Sequence, residues 1–229
     1  LGVGPEDEVI VADINWVATV APILHLGATP VLVDILPSTW CIDPEKVRDA
    51  ITPRTKAIIA VHLYGNLCDM ETLLAISEEH KIPVVEDAAE AIGSYYNGIH
   101  AGAVGKFSTF SFHGTKTITT GEGGCVLSNS VKLSKIAGSF RDWGRSCWCP
   151  GGVDNSCGKR FEWDYPDLPS GYDHKFIFTE LGYNLKMTDI QAALGDSQIN
   201  NLHEYVSIRR DNHNYLSHIQ NLNFFCTLY

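Results

Sequence analysis

Three groups of residues carry side chains capable of chemistry. Glu86 and Asp87 close a hydrophobic run and are followed by Ala88-Ala89-Glu90. In an open parallel sheet, ligands bind beyond the carboxyl ends of the strands, so carboxylates there can hold or polarise a ligand. A pair of solvated loop acids would look the same in sequence. The second group is Lys116 in His113-Gly114-Thr115-Lys116, after the apolar run Phe107 to Phe112 and before TITTGEGG at 117–124. Amid hydroxyls and glycines a lysine can contact phosphate. With its charge disfavoured by burial it can also attack a carbonyl as an amine. Taken alone, an exposed turn lysine is the commoner case. The third group is Cys147-Trp148-Cys149 with Cys157 beyond. Such thiols can ligate a metal or an iron–sulfur cluster. They form no CxxC pair and their nearest histidine is His174, so free thiols are the default reading and no metal is expected.

The elements that must position these residues read as an α/β pattern. Glu8 to Ala12, Pro30 to Ile35, Lys56 to Leu63 and Ile82 to Asp87 are short, β-branched apolar runs bounded by turn signals. Between them, Trp16 to Leu26 has helical length, with Gly27 as its stop. Asp43-Pro44 caps and opens a helix to about Ile51. Asp69 caps another to about His80, with Leu73, Leu74 and Ile76 facing inward. Strands apolar on both faces and separated by helices imply a mostly parallel sheet covered on both sides. Val131 to Phe140 reads as helix, 141–181 carries no sustained period, and helical spacing resumes from Met187 to Ile199. A polar tail rich in His and Asn follows.

Composition excludes several classes. The 229 residues are 45% hydrophobic and 19% charged, enough for a full-sized domain. A net charge of −10 without charge blocks argues against nucleic acid as the main partner. No apolar run is long enough to span a bilayer. Seven cysteines, an odd number, fit a reducing cytoplasm better than a disulfide framework.

Taken together, INWVAT (14–19), EDAAEAIGS (86–94), TFSFHGTKTITTGEGG (109–124) and GYNLKMTDIQAA (182–193) resemble the DegT/DnrJ/EryC1/StrS family. These are pyridoxal-phosphate (PLP) enzymes of fold type I that mostly aminate nucleotide-linked keto sugars. Twenty-eight residues lie between Asp87 and Lys116, with Lys116 inside SFHxxK ahead of GEGG, and the stretch from Asp13 to Gly124 is especially similar to perosamine synthases. The resemblance implies that Lys116 holds PLP and, once freed, moves protons as the catalytic acid and base. Asp87 would pair with the pyridine nitrogen, and Trp16 would stack on the ring. Ser111 would bind the phosphate, and Glu90 would stand near the cofactor hydroxyl. Asn184 would reach the phosphate in a neighbouring subunit, which implies a homodimer with shared sites.

The region 141–189 resembles another branch, the 3-dehydrases that use pyridoxamine phosphate and, in some members, a [2Fe–2S] cluster. That branch carries His in place of the Schiff-base Lys and spaces its cluster ligands as Cys, fifty-seven residues, Cys-x-Cys, seven residues, Cys. Cys147, Cys149 and Cys157 fit the last three positions, but the first falls on Ala89, and Lys116 is not His. The expected function is therefore a PLP-dependent aminotransferase acting on a nucleotide-linked 4-keto-6-deoxy sugar, with glutamate as donor. His62 and Tyr64 of VHLYG, together with the 141–181 loop, are expected to line the sugar side. The alternatives are a 3-dehydrase of the iron–sulfur type and a catalytically incomplete PLP-fold protein with a regulatory or assembly role. By the same resemblance, 1–200 would be the large cofactor domain without its N-terminal segment, and 201–229 would lead toward a small C-terminal domain; Asn221 to Tyr229 match nothing in the family.

Overall fold

The computed structural model describes residues 1–149, 153 and 155–220, except for the side chains of 219 and 220. The sequence-level match failure at 221–229 lies outside these residues. Two compact units emerge: Leu1–Leu127 with the segment from Asp189 onward, and Ser128–Thr188.

The first unit is built on a six-stranded sheet. Its strands are β1 (Glu8–Ala12), β2 (Thr29–Val33), β3 (Thr55–Val61), β4 (Val84–Asp87), β7 (Phe107–Ser111) and β8 (Gly124–Leu127), in spatial order β2-β1-β3-β4-β7-β8. All pairings are parallel except β7 with β8. A separate hairpin joins β5 (Tyr95–Tyr96) to β6 (Ile99–His100) through Asn97-Gly98, both at positive φ as a tight two-residue turn demands.

Side chains alternate across the sheet and so create two cores. Ile10, Ala12, Ile58, Ala60 and Val84 face α2 (Pro44–Ala50) and α3 (Met70–His80), where they meet Val47, Met70, Leu73 and Ile76. Val9, Val11, Ala57 and Val61 face the other way, toward Ile23 of α1 (Val17–His25). Burying each large aliphatic contributes about 1.5–3 kcal/mol, which is why both faces need helices. The expected covered parallel sheet is thus present, with an antiparallel edge strand in addition.

Caps fix the helices much as their sequences suggest. Asp43 accepts from Glu45 N–H at 2.9 Å and Asp69 from Thr72 N–H at 3.1 Å, each satisfying an otherwise unpaired first-turn donor. The inward face of α3 differs in one detail: Leu73 and Ile76 are fully buried, Leu74 is only partly so, and Met70 takes its place. The largest departure is at the end. α5 (Asp189–Ile199) begins two residues later than its helical spacing, and the polar tail is in fact α6 (Leu202–Gln220). Its Leu202 and Val206, one turn apart, pack on Gly93.

The second unit contains α4 (Val131–Arg141), capped by Ser130, and a short 3₁₀ turn at His174–Phe176. Elsewhere it is held by the isolated bridges Asp142↔Asn184 and Arg145↔Phe178. Asp142 also pairs with Arg145 and Lys186, and Arg160 with Asp173. Gly144 lies so close to Gly182 and to the Glu180 carbonyl that any side chain there would collide with backbone.

Candidate active site

The carboxyl edge of the parallel strands gathers most of the chemistry. Asp87 ends β4, in register with Val61 of β3 and Thr109 of β7. Ser111 ends β7, and Lys116 follows in a turn closed by its own N–H to His113 O at 3.0 Å. Trp16 caps α1 just past β1. Chain order reverses direction at β1, with β2 on one side and β3 on the other, which is where open α/β sheets form a ligand crevice.

Strand alternation separates the two acids of Glu86-Asp87. Asp87 faces α1: its Oδ2 accepts from Thr19 Oγ1 at 2.7 Å and its Oδ1 from Ala89 N–H at 3.1 Å. Two donors aim this half-buried carboxylate while leaving lone pairs for a ligand. Thr19 escapes sequence reading because its partner is 68 residues away.

Glu86 points to the opposite face and is completely buried. It accepts from Gly102 N–H (2.7 Å), Val104 N–H (2.9 Å) and Gly105 N–H, and from His62 Nε2 (3.0 Å). Burial pushes its carboxyl upward, but the hydrogen bonds from His62, Gly105 and Gly102 outweigh that and hold it below the usual carboxylate range. Glu86 therefore anchors the 102–105 turn and is saturated, with no role left at the ligand edge. His62 goes with it. It is buried, its Nδ1 accepts from Cys68 N–H at 3.3 Å, and it lines an apolar cavity of about 210 Å³ with Met70 and Leu74. The expected place of His62 beside a sugar is thus corrected: even residues of β3 and its extension face α3.

Lys116 Nζ meets Glu90 Oε1 at 3.0 Å, with both side chains partly buried. The other oxygen of Glu90 accepts from Tyr64 N–H at 2.7 Å, so one carboxylate ties the amine to the turn after β3. That turn is demanding: Tyr64 has φ 55°, and Gly65 has φ 85° with Glu90 O close behind it. Tyr64 and Glu90 line a cavity of about 660 Å³ together with Ser94, Thr117, Arg209 and His213. The last two come from α6, and the reading of that segment as a polar tail gives no reason to place them there.

The remaining candidates are less engaged. Ser111 Oγ accepts from His113 N–H at 3.2 Å. Trp16 is 76% exposed and makes no ring contact among the described residues. Asn184 belongs to the second unit, where its backbone bridges Asp142 and it is exposed. In that unit too, Cys147 and Cys149 lie within 4.8 Å of a His174 ring nitrogen, and Cys157 Sγ is 3.3 Å from His174 Nε2.

Known proteins share both sequence and fold with this chain. It is 45% identical over 208 residues to a dTDP-4-dehydro-2,6-dideoxy-D-glucose 3-dehydratase of Saccharopolyspora spinosa, covering 91% of the chain and 45% of that protein. It is 39% identical over 213 residues to a GDP-perosamine synthase of Caulobacter vibrioides, covering 91% of the chain and 50% of that protein. Among solved structures, an E. coli GDP-4-keto-6-deoxy-D-mannose-3-dehydratase with bound hydrated PLP superposes with a TM-score of 0.80 at 30% identity, over 93% of this chain and 53% of that one. The chain spans about half the length of the curated relatives it matches. The family model of the DegT/DnrJ/EryC1/StrS aminotransferases matches residues 1–224, and the chain belongs to that family.

Proposed function

We propose that this chain is the cofactor-binding part of a PLP-dependent aminotransferase that moves an amino group from an amino acid, glutamate by family resemblance, to a nucleotide-linked 4-keto-6-deoxy sugar. The observation that carries this reading is Lys116, a primary amine at the carboxyl edge of the sheet, held by Glu90 at 3.0 Å. The side chains at this edge fit the cofactor. They include an amine, a carboxylate aimed by two donors, a hydroxyl at Ser111 and an indole whose face has no ring partner among the described residues. When bound, PLP supplies an electron sink for negative charge developing on the carbon that loses a proton.

The rest of the work falls to the chain's own groups. Asp87 holds a proton on the ring nitrogen, because Thr19 and Ala89 fix its oxygens and prevent it from swinging into solvent. Lys116 Nζ would take the proton from the donor's α-carbon and deliver it to the cofactor carbon that gains the amine, then move a proton the opposite way onto the sugar carbon, a transfer contributing about 10²–10⁴-fold. Glu90 positions that amine and balances its charge when it is protonated. Trp16 offers a flat apolar face, and Ser111 a hydroxyl for phosphate. Asn184 is proposed to reach the cofactor phosphate of a second subunit, which makes the enzyme a homodimer with shared sites. Residues 1–200 are proposed as the large domain and 201 onward as the link to a smaller one. Six free cysteines among the described residues support a reducing cytoplasm as the working compartment.

The 45% identity to a 3-dehydratase keeps a second reading in view, in which a hydroxyl is removed from the same class of sugar. Lys116 separates the two. Borohydride reduction of the PLP-loaded protein is expected to fix the cofactor on Lys116, located by peptide mass spectrometry. Lys116→Ala is expected to abolish the adduct and lower amino transfer about 10²–10⁴-fold. A protein that takes up PLP without any adduct, yet deoxygenates the sugar, would establish the dehydratase reading.

A further inference from the structure

The charges of α6 are divided by face. Val206, which packs on Gly93, marks the inward side of the helix. Arg209, Arg210, His213 and Ser217 follow it at i+3, i+4, i+7 and i+11, all within about 60° of it at 3.6 residues per turn. The two acids of the helix, Glu204 and Asp211, stand roughly 140–160° away around the axis. In a chain with a net charge of −10, one helix thus turns its arginines to one side and its acids to the other.

The arginine side borders the cavity of about 660 Å³. Facing it are the 64–66 turn, Glu90 and Thr117. Glu90 is the one acid among the described lining residues, and Lys116 Nζ balances it at 3.0 Å. Neither arginine has an ion-pair or hydrogen-bond partner among the described residues. Both, with His213, are open to solvent, so an exchangeable ligand reaches them without any part of the fold opening. Each guanidinium presents N–H donors as a planar fork, the geometry that grips phosphate oxygens two at a time. The cavity is also of the size that holds a whole small-molecule ligand. A donor amino acid carries anionic oxygens too, but it would leave most of this space unfilled.

Resting on the reading of the chain as an enzyme of nucleotide-linked sugars, we propose that Arg209 and Arg210, assisted by His213, bind the diphosphate of that substrate. The sugar then extends along the cavity toward Glu90 and the amine that Glu90 holds. α6 becomes a specificity element, because a free sugar has nothing to offer its two forks. The acids on the far face of the helix leave the anion unopposed.

Calorimetric titration of the whole protein as purified tests this, with dTDP, GDP, thymidine, guanosine, inorganic pyrophosphate and glutamate as probes. One of the two nucleotides is expected to bind at least tenfold more tightly than its nucleoside, with pyrophosphate competing. Arg209→Ala and Arg210→Ala should each weaken that binding about 10–100-fold, the scale of losing hydrogen bonds to a charged group. Arg210→Lys, which keeps the charge and loses the fork, should fall between. Asp211→Asn, on the opposite face, should not weaken it. No binding of either nucleotide, equal affinity for nucleoside and nucleotide, full binding in a folded Arg209→Ala/Arg210→Ala variant, or a loss confined to glutamate would each overturn the proposal. If the variants fail to fold, pyrophosphate decides on the unmutated protein: failure to compete overturns the site. The borohydride adduct on Lys116 is a separate readout. An adduct without arginine-dependent nucleotide binding leaves the transaminase reading standing and removes this site, and nucleotide binding without an adduct does the reverse.

Discussion

Glu86 and Asp87 are adjacent acids with opposite fates, and the difference is set by the pleat. Asp87 keeps capacity for a ligand, whereas Glu86 spends its acceptor capacity on three backbone N–H groups and His62. Because the folded-state carboxyl of Glu86 lies below its unfolded value of about 4.3, its stabilisation is present above that value and is lost as pH falls through the folded one. Glu86→Gln would turn amide hydrogens toward N–H donors. A loss on the order of 3 kcal/mol is expected at neutral pH. In urea unfolding, the gap from the parent protein should narrow as pH drops below the carboxylate range. A gap constant down to the lowest pH at which the protein folds would sink this assignment. In the sequence the pair reads as one acidic feature, because the partners of each acid are distant residues: Thr19 for Asp87, and His62 with the 102–105 turn for Glu86.

At the scale of elements, helices with a local cap or a clear apolar spacing are legible in the sequence, and α6 is not. Asp43-Pro44 and Asp69 announce α2 and α3 because the capping group is local. α6 has a weakly apolar, His- and Asn-rich sequence, and its inward side is defined by a glycine in another segment. A Cβ on Gly93 would stand 2.6 Å from Val206 Cγ2, and Gly93 also has φ 85°. Gly93→Ala is therefore expected to cost about 1–3 kcal/mol from overpacking together with backbone strain. Adding Val206→Ala should recover the packing part, so the double variant is less destabilised than the sum of the singles. Strict additivity in denaturation would show that α6 does not rest on Gly93. The β5–β6 hairpin did leave a readable mark, Asn97-Gly98, whereas β8 is hidden because GEGG reads as a glycine-rich turn rather than the entrance to a strand.

At the scale of the whole molecule, Asp87 and Ser111 end strands of the first unit's sheet, and the described residues of the second unit are tied by ion pairs. The family resemblance singles out Asp87 and Lys116, which the fold places at and just beyond the carboxyl ends of β4 and β7. It could not reveal the buried state of His174, since burial of that ring depends on Trp163 and on thiols set by loop geometry. The antiparallel edge strand has a further consequence, in the order of assembly. β7 and β8 pair between Ser111 and Gly124, so the turn bearing Lys116 is closed by neighbours in sequence, whereas aligning Ile10 with Ile58 needs a crossover through β2 and α2. Closing a short loop loses less chain entropy than closing a long one, and local pairings form sooner. Pulse-labelled hydrogen exchange during refolding is expected to protect the amides of Phe110 and Cys125, a hydrogen-bonded pair of the β7–β8 ladder, before those of Ile10 and Ile58. The amine would then acquire its setting early, while the seat of Asp87 waits for the parallel strands to come into line.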